Sequence, residues 1–137
     1  TVILLNQVYT SLNRPEEAMR AGIRGVDRAE RAFAKDPSNP RPAYFIATTL
    51  AKIGETARAM EWAAKALELA PDDYLTRYNI ACFYSVLGDA DRAFALIDEL
   101  LPLSNADMKD WMLSDSDFAP LHADPRWKAV EDQARIG

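Results

Sequence analysis

Ile46-Ala47 returns 34 positions later as Ile80-Ala81, Ile53-Gly54 as Leu87-Gly88, and Arg58-Ala59 as Arg92-Ala93. Tyr44 returns as Tyr78, and Leu67 and Leu69 return as Leu101 and Leu103. A fixed period of this size marks stacked helix–turn–helix units, each able to bury its apolar face only against its neighbours. Such a stack offers a long concave surface, and function usually lies there. The kind of function this implies is partner binding; the partner itself is not encoded in the repeat.

The helices read as pairs. Residues 1–12 place Ile3, Leu4, Leu5, Val8, Tyr9 and Leu12 at helical spacing. Asn13-Arg14-Pro15 breaks that run, and proline suits the first turn of the next helix, where Glu16 and Glu17 favour the positive end of its dipole. This second helix is predicted to run to about Ala34, stopping at Asp36-Pro37. Asn39-Pro40 or Arg41-Pro42 opens the third, which ends at Gly54. The fourth covers about Thr56 to Leu69, the fifth about Tyr74 to Leu87 behind a cap at Asp72-Asp73, and the sixth Ala90 to about Leu101. Gly54 and Gly88 stand where helices terminate in a left-handed conformation that glycine adopts at little cost. Ala18, Ala59 and Ala93, with Ala47 and Ala81, recur at the same point of successive pairs, where small side chains let crossing backbones approach.

The period stops after residue 104. A short helix from Asp107 to Leu113, a tight turn from Asp115 to Leu121 and a final helix from Asp124 to about Ala134 are expected beyond it, with Asp124 as cap and Pro125 in the first turn. Trp111, Phe118, Leu121, Trp127 and Val130 are large apolar groups in an otherwise polar segment. They fit a lid over the exposed end of the stack, the alternative being a separate binding site.

At 137 residues the chain can bury roughly 70% of its unfolded surface. The formal net charge of −5 argues against nucleic acid, whose binders carry a basic stripe. A single cysteine, Cys82, cannot close an internal disulfide, which fits a reducing, cytoplasmic setting. No run approaches the ~20 apolar residues of a membrane span, so no membrane partner is expected. The apolar start lacks a basic flank and an initiator methionine and reads as mid-helix, which predicts a piece of a longer protein.

Leu87-Gly88-Asp89 followed by Ala93, and Ala66-Leu67-Glu68-Leu69-Ala70-Pro71-Asp72, resemble the tetratricopeptide repeat family. Two repeats, 40–73 and 74 to about 107, fit its pattern. A third, 1–39, fits at Leu5, Tyr9, Leu12, Ala18, Ala32 and Pro37 but has a second helix about seven residues too long, close to two turns. Asn105 stands where the last repeat would carry proline. The resemblance implies an all-α fold, a right-handed αα-superhelix of about three helix pairs over 1–104 (1–39, 40–73 and 74–104) with a C-terminal helical cap over 105–137. The tail, Trp111…Asp115-Ser116-Asp117-Phe118…Leu121…Asp124-Pro125-Arg126-Trp127, resembles those that close the repeats in some bacterial multidomain signalling proteins. It looks most like the C-terminal region of class III adenylate/guanylate cyclases.

The residues offer little to a catalyst. His122 and Cys82 are the sole imidazole and thiol, 40 positions apart, whereas a cysteine–histidine pair needs direct contact. Asp107, Asp110, Asp115, Asp117 and Asp124 lack the turn glycine and closing glutamate of a calcium loop, and most stand where helix caps belong. No glycine-rich phosphate loop is present. No catalytic residue, cofactor or metal is therefore expected. Arg20, Arg24, Arg28, Arg31 and Lys35 recur every three or four residues among acidic ones, as a solvated face of weak ion pairs or a stripe for an acidic partner.

In the resembled family the first helix of each pair lines the groove. Its groove positions carry over to Ile3, Gln7, Thr10 and Ser11 in the first repeat. They carry over to Arg41, Tyr44, Thr48, Ala51 and Lys52 in the second, and to Leu75, Tyr78, Cys82, Ser85 and Val86 in the third. The basic residues of a carboxylate clamp are missing around Asn79, so none is predicted. An extended or helical protein segment with apolar anchors suits the set better; an empty groove, or one filled by another copy's tail, is the alternative. Three functions follow: an interaction or scaffolding module in a bacterial signalling protein such as a cyclase, a self-association module, or, remotely, a hydrolase-like site at His122, Asp117 and Asp124.

Overall fold

The computed structural model describes residues 15–135. The helix expected over residues 1–12, with Ile3, Gln7, Thr10 and Ser11, lies outside them. Every regular element among the described residues is helical. The chain forms two compact units that meet in sequence at Ala70 and Pro71.

In the first unit α1 spans Pro15–Lys35, α2 Pro40–Lys52 and α3 Thr56–Leu69. Helix α1 packs on α2, and α2 on α3. The seams are built from small and branched groups: Ala18, Ala21, Val26, Ala43, Ile46, Ala47, Leu50, Ala59, Ala63 and Ala66 are all buried. Gly22 sits where α1 approaches α2, since a Cβ there would stand 3.4 Å from Thr49 Cγ2. Helix α1 has 21 residues against 14 in α3, the lengthening expected from the repeat. Across the unit Phe33 meets Trp62 edge-on at 5.2 Å, with the Lys65 ammonium 4.9 Å from the Trp62 ring centre. Arg58 pairs with Glu30 at 3.2 Å. The stripe Arg20, Arg24, Arg28, Arg31 and Lys35 is exposed throughout.

The helix ends follow local chemistry. The Asn39 side chain accepts from the Arg41 N–H at 3.1 Å, with Pro40 at the first position, where a missing N–H costs nothing. Gly54 takes φ 88° and Gly88 φ 95°, and the Gly88 N–H closes on the Tyr84 and Ser85 carbonyls.

In the second unit α4 spans Tyr74–Leu87 and α5 Ala90–Leu100, followed by a 3-10 turn at Leu101–Leu103. Helix α6 spans Ala106–Ser114, a 3-10 helix Ser116–Leu121, and α7 Arg126–Ala134. Caps come from Asp73, which accepts from the Thr76 N–H and hydroxyl, from Asp89 and from Asn105. Asn105, the departure from proline, is thus the residue that starts α6. The third helix pair and the residues after it share one core: Ala81, Ala93, Phe94, Ile97, Leu100, Met112, Phe118, Leu121, Trp127 and Val130. Arg126 pins α7 to α5, pairing with Asp91 at 2.8 Å and lying 4.6 Å over the Phe94 ring centre.

Two tail expectations change. Phe118, Leu121, Trp127 and Val130 are buried, but Trp111 is 67% exposed and its neighbour Met112 is the residue of α6 that enters the core. The final helix begins at Arg126, although the Asp124 carboxylate still accepts from the Arg126 N–H at 2.9 Å. The expected turn at Asp115 to Leu121 is a 3-10 helix, with the Asp115 side chain accepting from the Asp117 N–H. No helix among the described residues is long and apolar enough to cross a membrane.

Candidate binding surface

On α2 the residues at positions 41, 44, 48, 51 and 52 lie on one side, opposite the buried Ala43, Ile46, Ala47 and Leu50. Arg41 and Lys52 are exposed, and Tyr44, Thr48 and Ala51 half-buried. The Thr48 hydroxyl donates back to the Tyr44 carbonyl at 3.2 Å, which leaves its methyl and the tyrosine ring as the accessible chemistry. This face is apolar and aromatic between two cationic groups.

The matching side of α4 behaves differently. Leu75 is 51% exposed, but Tyr78, Cys82 and Ser85 are almost fully buried. The chain's own tail engages them. The Tyr78 hydroxyl donates to Asp115 Oδ2 at 2.8 Å and its ring meets Phe118 edge-on at 5.5 Å. The Cys82 thiol lies 3.8 Å from the same carboxylate oxygen, and the Ser85 hydroxyl donates to the Asp117 carbonyl at 2.7 Å. Burial, then the Asp115 hydrogen bond and charge, hold the Tyr78 hydroxyl far above the usual tyrosine range. Of the five α4 positions, three therefore hold the tail in place, and Leu75 with the half-buried Val86 keeps access to solvent. Asn79 donates to the Leu75 carbonyl of its own helix at 2.8 Å.

Beside this junction the second unit has an open cleft of about 550 Å³ between α4 and α6. Leu75, Met108 and Trp111 form its apolar surface, and Asp107, Asp115 and Asp117 line it with carboxylates. Cys82, Asp115 and Asp117 bring potential ligand atoms within 4.8 Å of one another. The Asp115 carboxylate accepts there from the Tyr78 hydroxyl and the Asp117 N–H, with the Cys82 thiol 3.8 Å away. His122 packs on Trp127, 4.6 Å between ring centres, as a polar group on an aromatic surface. Asp124 is held below the usual carboxylate range by the Arg126 guanidinium and N–H.

The two units thus repeat one helical hairpin. Ile46 and Ile80, Ala47 and Ala81, Ala59 and Ala93 are each fully buried, and the glycine after each first helix is left-handed. Residues 40–73 match the family model described as tetratricopeptide repeat. That match supports a tetratricopeptide repeat over these residues. Repeats of this family generally mediate protein–protein interaction and are typically non-catalytic. The match spans α2 and α3 together with the turn that leads to α4. No curated protein matches the chain.

Proposed function

We propose that this chain is a non-catalytic protein–protein interaction module that binds a protein segment along the first-helix faces of its repeats. The observation that carries the reading is the α2 face: Tyr44, Thr48 and Ala51 stay accessible on a tetratricopeptide repeat whose opposite side is fully buried. Affinity capture from the source organism, repeated with Tyr44→Ala plus Leu75→Ala, tests the reading. A specific partner lost on substitution, with helicity intact, supports it; a partner retained at full strength ends it. Tyr78 is unsuitable for this test because its hydroxyl holds the tail.

The tail's resemblance supports a finer proposal, a cytoplasmic C-terminal regulatory region of a bacterial signalling protein such as a nucleotide cyclase. A catalytic domain encoded upstream of Thr1 would support it, and a DNA-binding domain there would redirect it. Self-association is a second reading, favoured by Met19 and Ile23, which α1 exposes at 47% and 46% beside its arginines. Light scattering that finds only monomer at high concentration removes it.

A further inference from the structure

The cleft between α4 and α6 has a chemistry that the α2 face lacks. Among the described residues seven large apolar side chains are exposed, and three of them, Leu75, Met108 and Trp111, line this one cleft. Contiguous apolar exposure rimmed by polar groups marks a contact site. All the charge in its lining is negative, from Asp107, Asp115 and Asp117; no lysine, arginine or histidine lines it. Asp115 is partly buried, and the donors that reach it from Tyr78, Cys82 and the Asp117 N–H are neutral. The raised Tyr78 hydroxyl reports the same negative surroundings, after burial.

The geometry points to a basic–apolar peptide segment as the occupant: its lysine or arginine meets Asp107 and Asp115, and a neighbouring apolar side chain rests on Trp111 and Leu75. The aliphatic stem of such a cation covers apolar surface while its head reaches the carboxylates, and the indole face attracts the same charge. An acidic segment would bring like charge into the cleft, and a purely apolar one would desolvate carboxylates without compensation. This inference rests on the interaction-module reading and adds to it the charge of the ligand.

Three fluorescein-labelled peptides of equal length, alternating leucine with arginine, serine or glutamate, test it by fluorescence anisotropy at low and high salt. The arginine peptide should bind about ten-fold more tightly than the serine peptide at low salt, a difference of about 1.4 kcal/mol, and the glutamate peptide most weakly. Asp107→Asn with Trp111→Ala should abolish that preference. Glu61→Gln, an equal charge change on α3, should leave it intact. Equal binding of the arginine and serine peptides overturns the inference while sparing the module, which Tyr44→Ala alone, outside this cleft, tests separately. Equal weakening by Glu61→Gln reduces it to a net-charge effect and overturns it too. A salt-sensitive dimer dispersed by the Asp107 and Trp111 substitutions would make the occupant a second copy, against an external peptide.

Discussion

Tyr78 and Asp115 stand 37 positions apart and share a hydrogen bond of 2.8 Å from the phenol to a carboxylate oxygen. That bond fastens the segment after α6 onto the first helix of the last repeat. A charge-assisted bond of this kind is stronger than a neutral one, and a half-buried carboxylate that loses its donor is costly. Tyr78→Phe should therefore lower stability by about 1–3 kcal/mol. A double-mutant cycle with Asp115→Asn, read by urea unfolding, should give a coupling of at least about 0.5 kcal/mol. Additive effects would mean that the two residues do not act as a pair.

Burial of the Tyr78 hydroxyl, and after it the bond to Asp115, sets an alkaline limit. Because Tyr78 is raised in the folded chain, the native state keeps its proton at a pH where an unfolded tyrosine has lost it. The stabilisation is fully present below the ordinary tyrosine pKa of about 10 and declines as pH rises beyond it. In a tyrosinate absorbance titration Tyr78 should stay un-ionised until the protein unfolds. Tyr78→Phe should remove that late ionisation. Loss, in the Tyr78→Phe variant, of an ionisation that the folded parent shows near the ordinary tyrosine pKa of about 10 would contradict the assignment.

Burial separates two aromatic residues of the tail. Phe118 is fully buried against Tyr78 and Trp127, so Phe118→Ala should cost about 3–5 kcal/mol. Trp111, mostly exposed, should change stability by no more than about 0.5 kcal/mol on substitution by alanine. Thermal melts of the two variants distinguish them, and comparable losses would show that Trp111 belongs to the core.

Gly54 and Gly88 offer a test of the repeat itself. Both are left-handed, and a Cβ at either would meet nothing within 4 Å, so only backbone strain opposes a side chain. Alanine at each should cost about 1–2 kcal/mol, by the same mechanism at both places. Unequal losses, one near zero, would show that the two turns are not equivalent.

The hairpins were legible because their determinants are local or periodic. Apolar spacing, the caps at Asn39 and Asp73, and the small residues Ala59 and Ala93 each act within one turn or recur at one offset. The Tyr78–Asp115 junction was not legible, because Asp115, Asp117 and Phe118 lie beyond the period and their partners on α4 lie more than thirty positions away. Tyr78, Cys82 and Ser85 fit the family's groove positions, but no local pattern shows that the tail will cover them. Trp111 illustrates a different limit: a nine-residue helix has too few turns to fix its phase, so Met112 turned inward in place of the larger indole.

Which helix faces meet a partner can be measured directly. Titration calorimetry of a captured partner against Tyr44→Ala plus Leu75→Ala, and against Ala57→Arg plus Glu61→Arg on exposed positions of α3, decides this. The first pair should weaken binding at least about ten-fold, or about 1.4 kcal/mol, while the second leaves it unchanged. Weakening by the α3 pair alone, with full affinity in the Tyr44 and Leu75 variant, would put the binding surface on the second helices and contradict the account.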